Sequence, residues 1–592
     1  MMDPFDRIDI QELPLSVPSF RRRVEGFLGE NGLRLEKVDL YLAVLDDQGR
    51  ILAGGGLFRD IVKCIAVSAP ARSLGLSVPL ISRLISCASE RGYAHVKVFT
   101  KPENHPVFES LGFRVLAEAP KAVLMENGRG LEEYCRSLRA HPADGVIVMN
   151  ANPFTLGHRY LVEQAAALSR NLVVIPVRED ASRFPYAERL EMIRRGSGDL
   201  ADIVEGSDYQ ISAATFPTYF LKDLSDAAET QMRLDIDLFG RHIAPALGAA
   251  VRYVGSEPSD PLTARYNALM KELLPAYGVQ VVEVARLSDT EGAVSASRVR
   301  ALLDAGSFRC AAALTPEPVW PYLLAALGEQ ALRLELDTPL KPGLVGPDGN
   351  GAHKDMDCDL MHRSIDAIRP FFPRMAMAGS PEELRRLGLD AEAAMLAATG
   401  GVNAHRGAIY ALGLALNAAA RTVVPACRIS ETAQTECLMQ DALRKTAQGI
   451  FDHSLKDSEF QVTARSHGSV AREQYGAKGA REMASEGYPP LFTDWLPFYR
   501  SVKAFSDGLQ RTLLRIMSTL DDTCIIHRVG YERAQLVKVE ATALLEDFST
   551  DGLRGMCRRY AAEGISPGGA ADMLALTIFI ESISTHTLTQ KS

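Results

Sequence analysis

The stretch 145–160 reads GVIVMNANPFTLGHRY, a strand, a turn and a helix start in sixteen residues. Its first five residues are short, apolar and rich in β-branched side chains, the composition of a strand buried on both faces. The strand ends at Asn150 and a turn containing Pro153 follows. Thr155-Leu156-Gly157-His158 then opens a helix continuing through Leu161, Ala165 and Leu168. Such a helix start presents free backbone N–H groups and the positive end of the helix dipole, so it is an anion site before any side chain acts. Gly157 admits a phosphate close to the backbone, while Thr155 adds a hydroxyl and His158 an imidazole. The residues alone leave a second reading open, in which Thr155 only caps the helix and His158 stands on the surface.

Stretches 172–177, 251–255 and 279–285 are further apolar strands separated by helices, which implies a parallel sheet over 141–325. After the last of them, VSASRVR (294–300) opens another helix. Its Ser295, Ser297 and Arg298 suit the β- and γ-phosphates of ATP, or Ser295 is simply an N-cap. Residues 1–140 mix short strands and helices: a hairpin of 41–45 with 51–58, a strand at 60–68, a helix at 78–91 and a strand at 95–100. From about 326 the composition shifts to Ala, Leu, Arg and Met in long helical patterns, so the last third is expected to be mostly α. Thr315-Pro316-Glu317-Pro318 reads as a linker. The chain is thus expected to be multidomain, with parts at 1–140, 141–325 and 326–592; its 592 residues are several times one domain.

Composition narrows the function classes. A net charge of −9 argues against a nucleic-acid-binding surface. Hydrophobic residues at 47% and charged residues at 23% exclude extended disorder. No apolar run reaches the length of a membrane span, and the first thirty residues lack the order of a secretory signal. Nine scattered cysteines without a CxxC pair make a disulfide framework or a four-cysteine zinc site unexpected. A soluble cytoplasmic enzyme is the expectation.

The helical third carries its own polar clusters. TPLKPGLV (338–345) precedes NGAHKDMD (350–357), where His353, Asp355 and Asp357 are candidates to hold Mg²⁺ with a triphosphate, and Lys341 to meet phosphate as a point charge. A polar turn before the next helix is the alternative for HKDMD. TGGVNAHRG (399–407) puts Asn403, His405 and Arg406 in a glycine-rich loop, and SPGGAADM (566–573) starts a helix with Asp572 in its first turn.

Together, TLGH and VSASRVR resemble the nucleotidyltransferase superfamily motifs (H/T)xGH and (I/V)SxSxxR. With FPTYFLKD (216–223) and VGSEPSDPLTARYN (254–267) the central segment resembles the citrate lyase ligases. That resemblance implies an α/β Rossmann-like nucleotidyltransferase domain, ATP as substrate, acetyl-adenylate formation from acetate, and acetylation of the prosthetic-group thiol on the citrate lyase acyl-carrier subunit. It implies roles for Thr155 and His158 on the phosphates, and for Ser295, Ser297 and Arg298 on the leaving pyrophosphate. Asn152, Gly157, Lys222, Gly255 and Glu257 are the further ATP-binding candidates. Residues 1–140, with the loop Arg72-Ser73-Leu74-Gly75-Leu76-Ser77, resemble the α+β GNAT acetyltransferases, although Ser77 stands where that family has Gly or Ala. The four C-terminal motifs resemble triphosphoribosyl-dephospho-CoA synthase, which joins ATP to 3′-dephospho-CoA with release of adenine. There His353 and Asp355 are implied as catalytic, Lys341, Asn403, His405 and Arg406 as ATP-binding, and Asp355 and Asp357 as Mg²⁺ ligands. Gly346 departs from that family's usual aspartate after KPGLV, and Ser466-His467-Gly468 from its THG. Two other functions stand as alternatives: a coenzyme A-type adenylyltransferase, which shares TxGH, and a non-catalytic carrier-binding regulator.

Overall fold

The structure, a computed structural model, describes residues 8–178, 182–210, 224–257, 260–426, 432–456, 475–478 and 480–584. The chain divides into two compact units: 1–152 with 157–294, and 153–156 with 295–592.

The first unit holds two main sheets. One has seven strands in the order β1-β2-β3-β4-β5-β7-β6: β1 (Ile10–Glu12), β2 (Leu40–Leu45), β3 (Ile51–Phe58), β4 (Ile61–Val67), β5 (Val96–Thr100), β6 (Arg114–Ala119) and β7 (Ala122–Asn127). Only β4 and β5 pair in parallel, and the crossover helix Ser77–Glu90 joins them, as a parallel pair requires. Glycines in β3 make room for its neighbours: a Cβ at Gly54 would lie 2.6 Å from the hydroxyl of the buried Tyr41.

The second sheet has five strands: β8 (Gly145–Met149), β9 (Leu172–Pro176), β10 (Asp202–Ile203), β11 (Val251–Gly255) and β12 (Gln280–Val284). They run wholly parallel in the order β10-β9-β8-β11-β12. The expected strands are present in the expected arrangement. Strand order reverses between β8 and β11, and in open parallel sheets ligands bind beyond the carboxyl ends of the strands at such a point. The turns after Met149 and Gly255 are therefore where a site belongs. No structural joint falls at residue 140. Phe99 and Leu124 of the first sheet share one buried core with Val146, Val173 and Ile175 of the second, and with Leu234 and Leu238 of the helix Leu224–Leu238.

The second unit is helical, as expected for the last third. At its centre the helix Gly568–Ser584 is apolar nearly all round and packs against Trp320–Leu336, Arg406–Ala426 and Gly508–Thr519. The segment 315–318 is not an exposed linker. Thr315 and Trp320 are buried, and the indole donates to the carbonyls of Ala312 at 3.1 Å and Thr315 at 3.2 Å. Its prolines stand at helix starts, where no backbone N–H is needed, so they begin helices instead of breaking them. Among the described residues no helix is long and apolar enough to cross a membrane.

Candidate functional site

In the first unit the turn after β8 is locked from beneath. Arg189, fully buried, donates through one guanidinium nitrogen to the carbonyl and side-chain oxygens of Asn150, both at 2.8 Å, and to the carbonyl of Val177 at 2.9 Å. Its Nε donates to the Phe184 carbonyl at 3.1 Å. Asn152 Oδ1 accepts the Phe184 N–H at 3.2 Å. Between them Ala151 takes a left-handed conformation, φ 48°, which costs a non-glycine residue about 1–3 kcal/mol and persists only because its surroundings fix it. The helix Leu156–Leu168 then carries Gly157 and His158. Burial, with the Arg286 guanidinium adding to it, pushes the His158 pKa down to about 4, so its ring is neutral near pH 7. Arg286 also ion-pairs with Glu257, and its N–H reaches Ser256 Oγ at 3.0 Å. Asn267 donates to the Gly255 carbonyl at 2.9 Å and orders the end of β11. Gly157, His158, Gly255, Glu257 and Asn152 thus belong to the first unit, at the ends of β8 and β11. Lys222 lies outside the described residues, as do 216–223 and 466–468.

Thr155, Ser295, Ser297 and Arg298 belong to the second unit. Thr155 is fully buried, and the Leu156 N–H reaches the Leu314 carbonyl at 2.9 Å. Ser295 is the N-cap of Ala296–Asp304: its Oγ accepts the Arg298 N–H at 3.2 Å and lies 3.0 Å from Ser297 Oγ. A cap and a phosphate contact do not exclude each other at a helix start.

In the helical unit the four C-terminal motifs converge. His353 Nδ1 lies 3.3 Å from an Arg528 donor, so its Nε2 carries the proton and donates to Ser566 Oγ at 2.8 Å. Burial and Arg528 hold the His353 pKa below its usual value. Gly343 lies so close to the SPGG segment that a Cβ there would sit 1.9 Å from the Ile565 carbonyl. Asp348 accepts the N–H of Leu340 at 2.6 Å, and Leu340 is a second non-glycine residue in the left-handed region, φ 55°. Lys341 is not a free point charge. It is buried, and its Nζ donates to the side-chain and backbone oxygens of Glu335, both at 2.6 Å. His405 is 4% exposed, its Nδ1 2.7 Å from Ser364 Oγ, and its pKa is pushed down to about 4 by burial, with Lys341 contributing. Asn403 Oδ1 accepts the Arg406 N–H at 3.3 Å, and the Arg406 guanidinium pairs with Glu392.

Asp357 is the N-cap of the helix Cys358–Ile368, one oxygen accepting the Leu360 N–H at 2.7 Å, while the Asp355 side chain is 64% exposed, 3.9 Å from His353. Mg²⁺ takes one or two carboxylates beside substrate phosphates, and Asp355 with the second oxygen of Asp357 fits that donor set. Asp337, Cys358 and His362 also bring one possible ligand atom each within 4.8 Å of one another. Arg333 occupies His362 Nδ1 at 3.0 Å and Asp337 occupies Nε2 at 3.0 Å, so both ring nitrogens of His362 are already engaged.

Sequence reasoning missed Arg189, Arg286, Asp522 and Ser364. Asp522 is the N-cap of Thr523–Val529 and also accepts the Ala570 N–H at 2.8 Å, tying that helix to the SPGG segment. Only its capping role had a signal, an aspartate just before an apolar helical run.

Comparison with known proteins divides the chain in the same order. Residues 144–323 match the citrate lyase ligase C-terminal domain, and residues 321–590 match the ATP:dephospho-CoA triphosphoribosyl transferase family. The chain is 42% identical over 317 residues to the citrate (pro-3S)-lyase ligase of Klebsiella pneumoniae, covering 51% of this chain and 92% of that protein. It is 41% identical over 311 residues to the ligase of Escherichia coli, covering 50% and 88%. Over 280 residues it is 39% identical to a Stutzerimonas stutzeri protein named probable 2-(5''-triphosphoribosyl)-3'-dephosphocoenzyme-A synthase, covering 44% and 91%. The chain therefore belongs to two families in series, the citrate lyase ligases through its first half and the ATP:dephospho-CoA triphosphoribosyl transferases through its second.

Proposed function

We propose that this chain is a bifunctional enzyme of citrate lyase maturation, an acid–thiol ligase joined to a triphosphoribosyl-dephospho-CoA synthase. The observation that carries the reading is the presence of both families, each over about nine-tenths of a relative's length, in one chain. In the first reaction a carboxylate oxygen of acetate attacks the α-phosphorus of ATP, and the bond to the departing pyrophosphate breaks. The acyl-carrier thiol then takes the acetyl group and AMP leaves. Positioning and charge stabilisation carry most of such a transfer. Neutral His158 and Thr155 would donate to the phosphates, Asn152, Gly157, Gly255, Glu257 and Lys222 would seat the nucleotide, and Ser295, Ser297 and Arg298 would stabilise the pyrophosphate. The five-stranded parallel sheet, with its reversal beside His158, supports reading it as Rossmann-like. The seven-stranded sheet, with one parallel pair beside Gly75 and the helix Ser77–Glu90, supports a GNAT-like reading of the N-terminal part.

In the second reaction a ribose hydroxyl of 3′-dephospho-CoA displaces adenine from ATP. Lys341, Asn403, His405 and Arg406 would bind ATP, and His353 and Asp355 would serve the reacting groups. Mg²⁺ on Asp355 and Asp357 would neutralise triphosphate charge. Mass spectrometry of the deacetylated acyl-carrier subunit, incubated with this protein, ATP and acetate, tests the ligase half. A gain of one acetyl group that requires both small molecules is expected; an unmodified carrier would refute it.

A further inference from the structure

The helix Gly568–Ser584 carries two carboxylates: Glu581, in the stretch that is buried almost throughout from Met573 onward, and Asp572, half-buried in the first turn. One of them, Glu581, is neutralised by Arg500 and Lys503, each at 2.6 Å. Asp572 has no such partner: among the described residues its one hydrogen-bond donor is the backbone N–H of Ala408. The groups acting on it are the like charges of Asp522 and Glu335, with the neutral Cys524 thiol and Tyr488 hydroxyl also in its surroundings. A half-buried carboxylate that faces two like charges and has no cationic partner is open to a ligand and poorly satisfied without one.

Two observations say what it faces. The backbone of the TGGVNAHRG loop is drawn onto the carboxylate so tightly that a Cβ at Gly407 would sit 1.9 Å from Asp572 Oδ2. In the same loop His405, itself buried, uses Nδ1 on Ser364 and leaves Nε2 enclosed with no hydrogen-bond partner. Lys341 acts electrostatically on His405 and pairs with Glu335, which acts on Asp572, so these groups share one neighbourhood. A carboxylate without a cationic partner, packed against this loop, and an enclosed ring nitrogen without a hydrogen bond in the same loop are each completed by a polar ligand.

We propose that Asp572 is the general base of the triphosphoribosyl transfer, an assignment that rests on the reading of the second half given above. Asp572 takes the proton of the dephospho-CoA ribose hydroxyl as that oxygen bonds to C1′ of the ATP ribose. The bond from C1′ to adenine N9 breaks, and its electron pair leaves with adenine, which takes a proton from water. Protonated Asp572 returns its proton to water. A carboxylate held well above its usual pKa by burial and two like charges is a stronger base than an exposed one.

Adenine release by the full chain, supplied with ATP and dephospho-CoA, tests this across pH. Asp572→Asn keeps an oxygen for the Ala408 N–H and removes the base. The expected result is a loss of about 10²–10⁴-fold in turnover with ATP binding retained. Glu335→Gln removes one of the charges that raise Asp572, so the acid limb of the rate profile should move to lower pH, which a purely structural role would not produce. Near-wild-type adenine release by folded Asp572→Asn, or an acid limb unmoved in folded Glu335→Gln, overturns the assignment. Should one variant fail to fold, the other decides. If the wild-type chain itself releases no adenine, the reading of the second half falls and takes this assignment with it.

Discussion

His158 in the first unit and His405 in the second both have pKa values pushed from 6.5 down to about 4, with burial the largest cause. The native rings therefore stay neutral where an unfolded chain would already be protonated. Between about 6.5 and 4 the unfolded state binds more protons, so their contribution to stability is full above 6.5 and is lost as pH falls through that window. Thermal unfolding followed from pH 7 to 4 should steepen accordingly, and His158→Gln and His405→Gln should each flatten the fall. A pH dependence unchanged in both variants would contradict the lowered pKa of these rings. At this scale the sequence exposed the residues that belong to short motifs, Thr155, His158, Ser295 and His353 among them. It hid the partners that decide their state. Arg286 reaches Glu257 and His158 only through the order of the parallel strands, and Lys341, read as a phosphate ligand, is enclosed with Glu335 because the preceding helix ends directly against it. At Asp357 the polar turn expected before the helix is the N-cap that it forms.

The element on which the first site depends is the turn from β8 into the helix Leu156–Leu168, and Arg189 is what holds it. Arg189→Lys keeps the charge, but one ammonium cannot span the carbonyls of Asn150, Val177 and Phe184 that the guanidinium fork joins. We expect a loss of about 3 kcal/mol or more in stability, from hydrogen bonds to a buried charge and carbonyls left unsatisfied. Acetate-dependent pyrophosphate release should fall while adenine release persists. Paired melting curves and both assays check this, and an unchanged pyrophosphate rate would show that the turn needs no such strut. Strands were legible here because β-branched runs flanked by turn residues are explicit, and β8, β9, β11 and β12 lie within a few residues of where the pattern put them. The prolines near 316 misled for a physical reason. A proline that breaks a helix interior is well placed in its first turn, and only the burial of Trp320 reveals which case applies.

In the whole molecule, the compact units do not follow the joints expected at 140 and 325, although the two family matches change over at 321–323, beside the second. A shared core erases the first, because nothing in composition marks two sheets that pack together. The second lies inside the helix Trp320–Leu336, where Leu323, Leu324 and Ala325 are fully buried. A fragment of residues 326–592 should consequently be unstable, whereas 295–592 retains that helix whole and should fold and release adenine. Equal stability of the two fragments by thermal melting would contradict the division. The central claim is that one chain runs two separate reactions. It is tested most directly in the full-length protein by measuring pyrophosphate with ATP and acetate, and adenine with ATP and dephospho-CoA, in His158→Ala and Asp355→Asn. His158→Ala is expected to lose most pyrophosphate release and keep adenine release, and Asp355→Asn to do the reverse, an amide being a poor replacement for a charged Mg²⁺ ligand. Loss of both activities in either folded variant would contradict it.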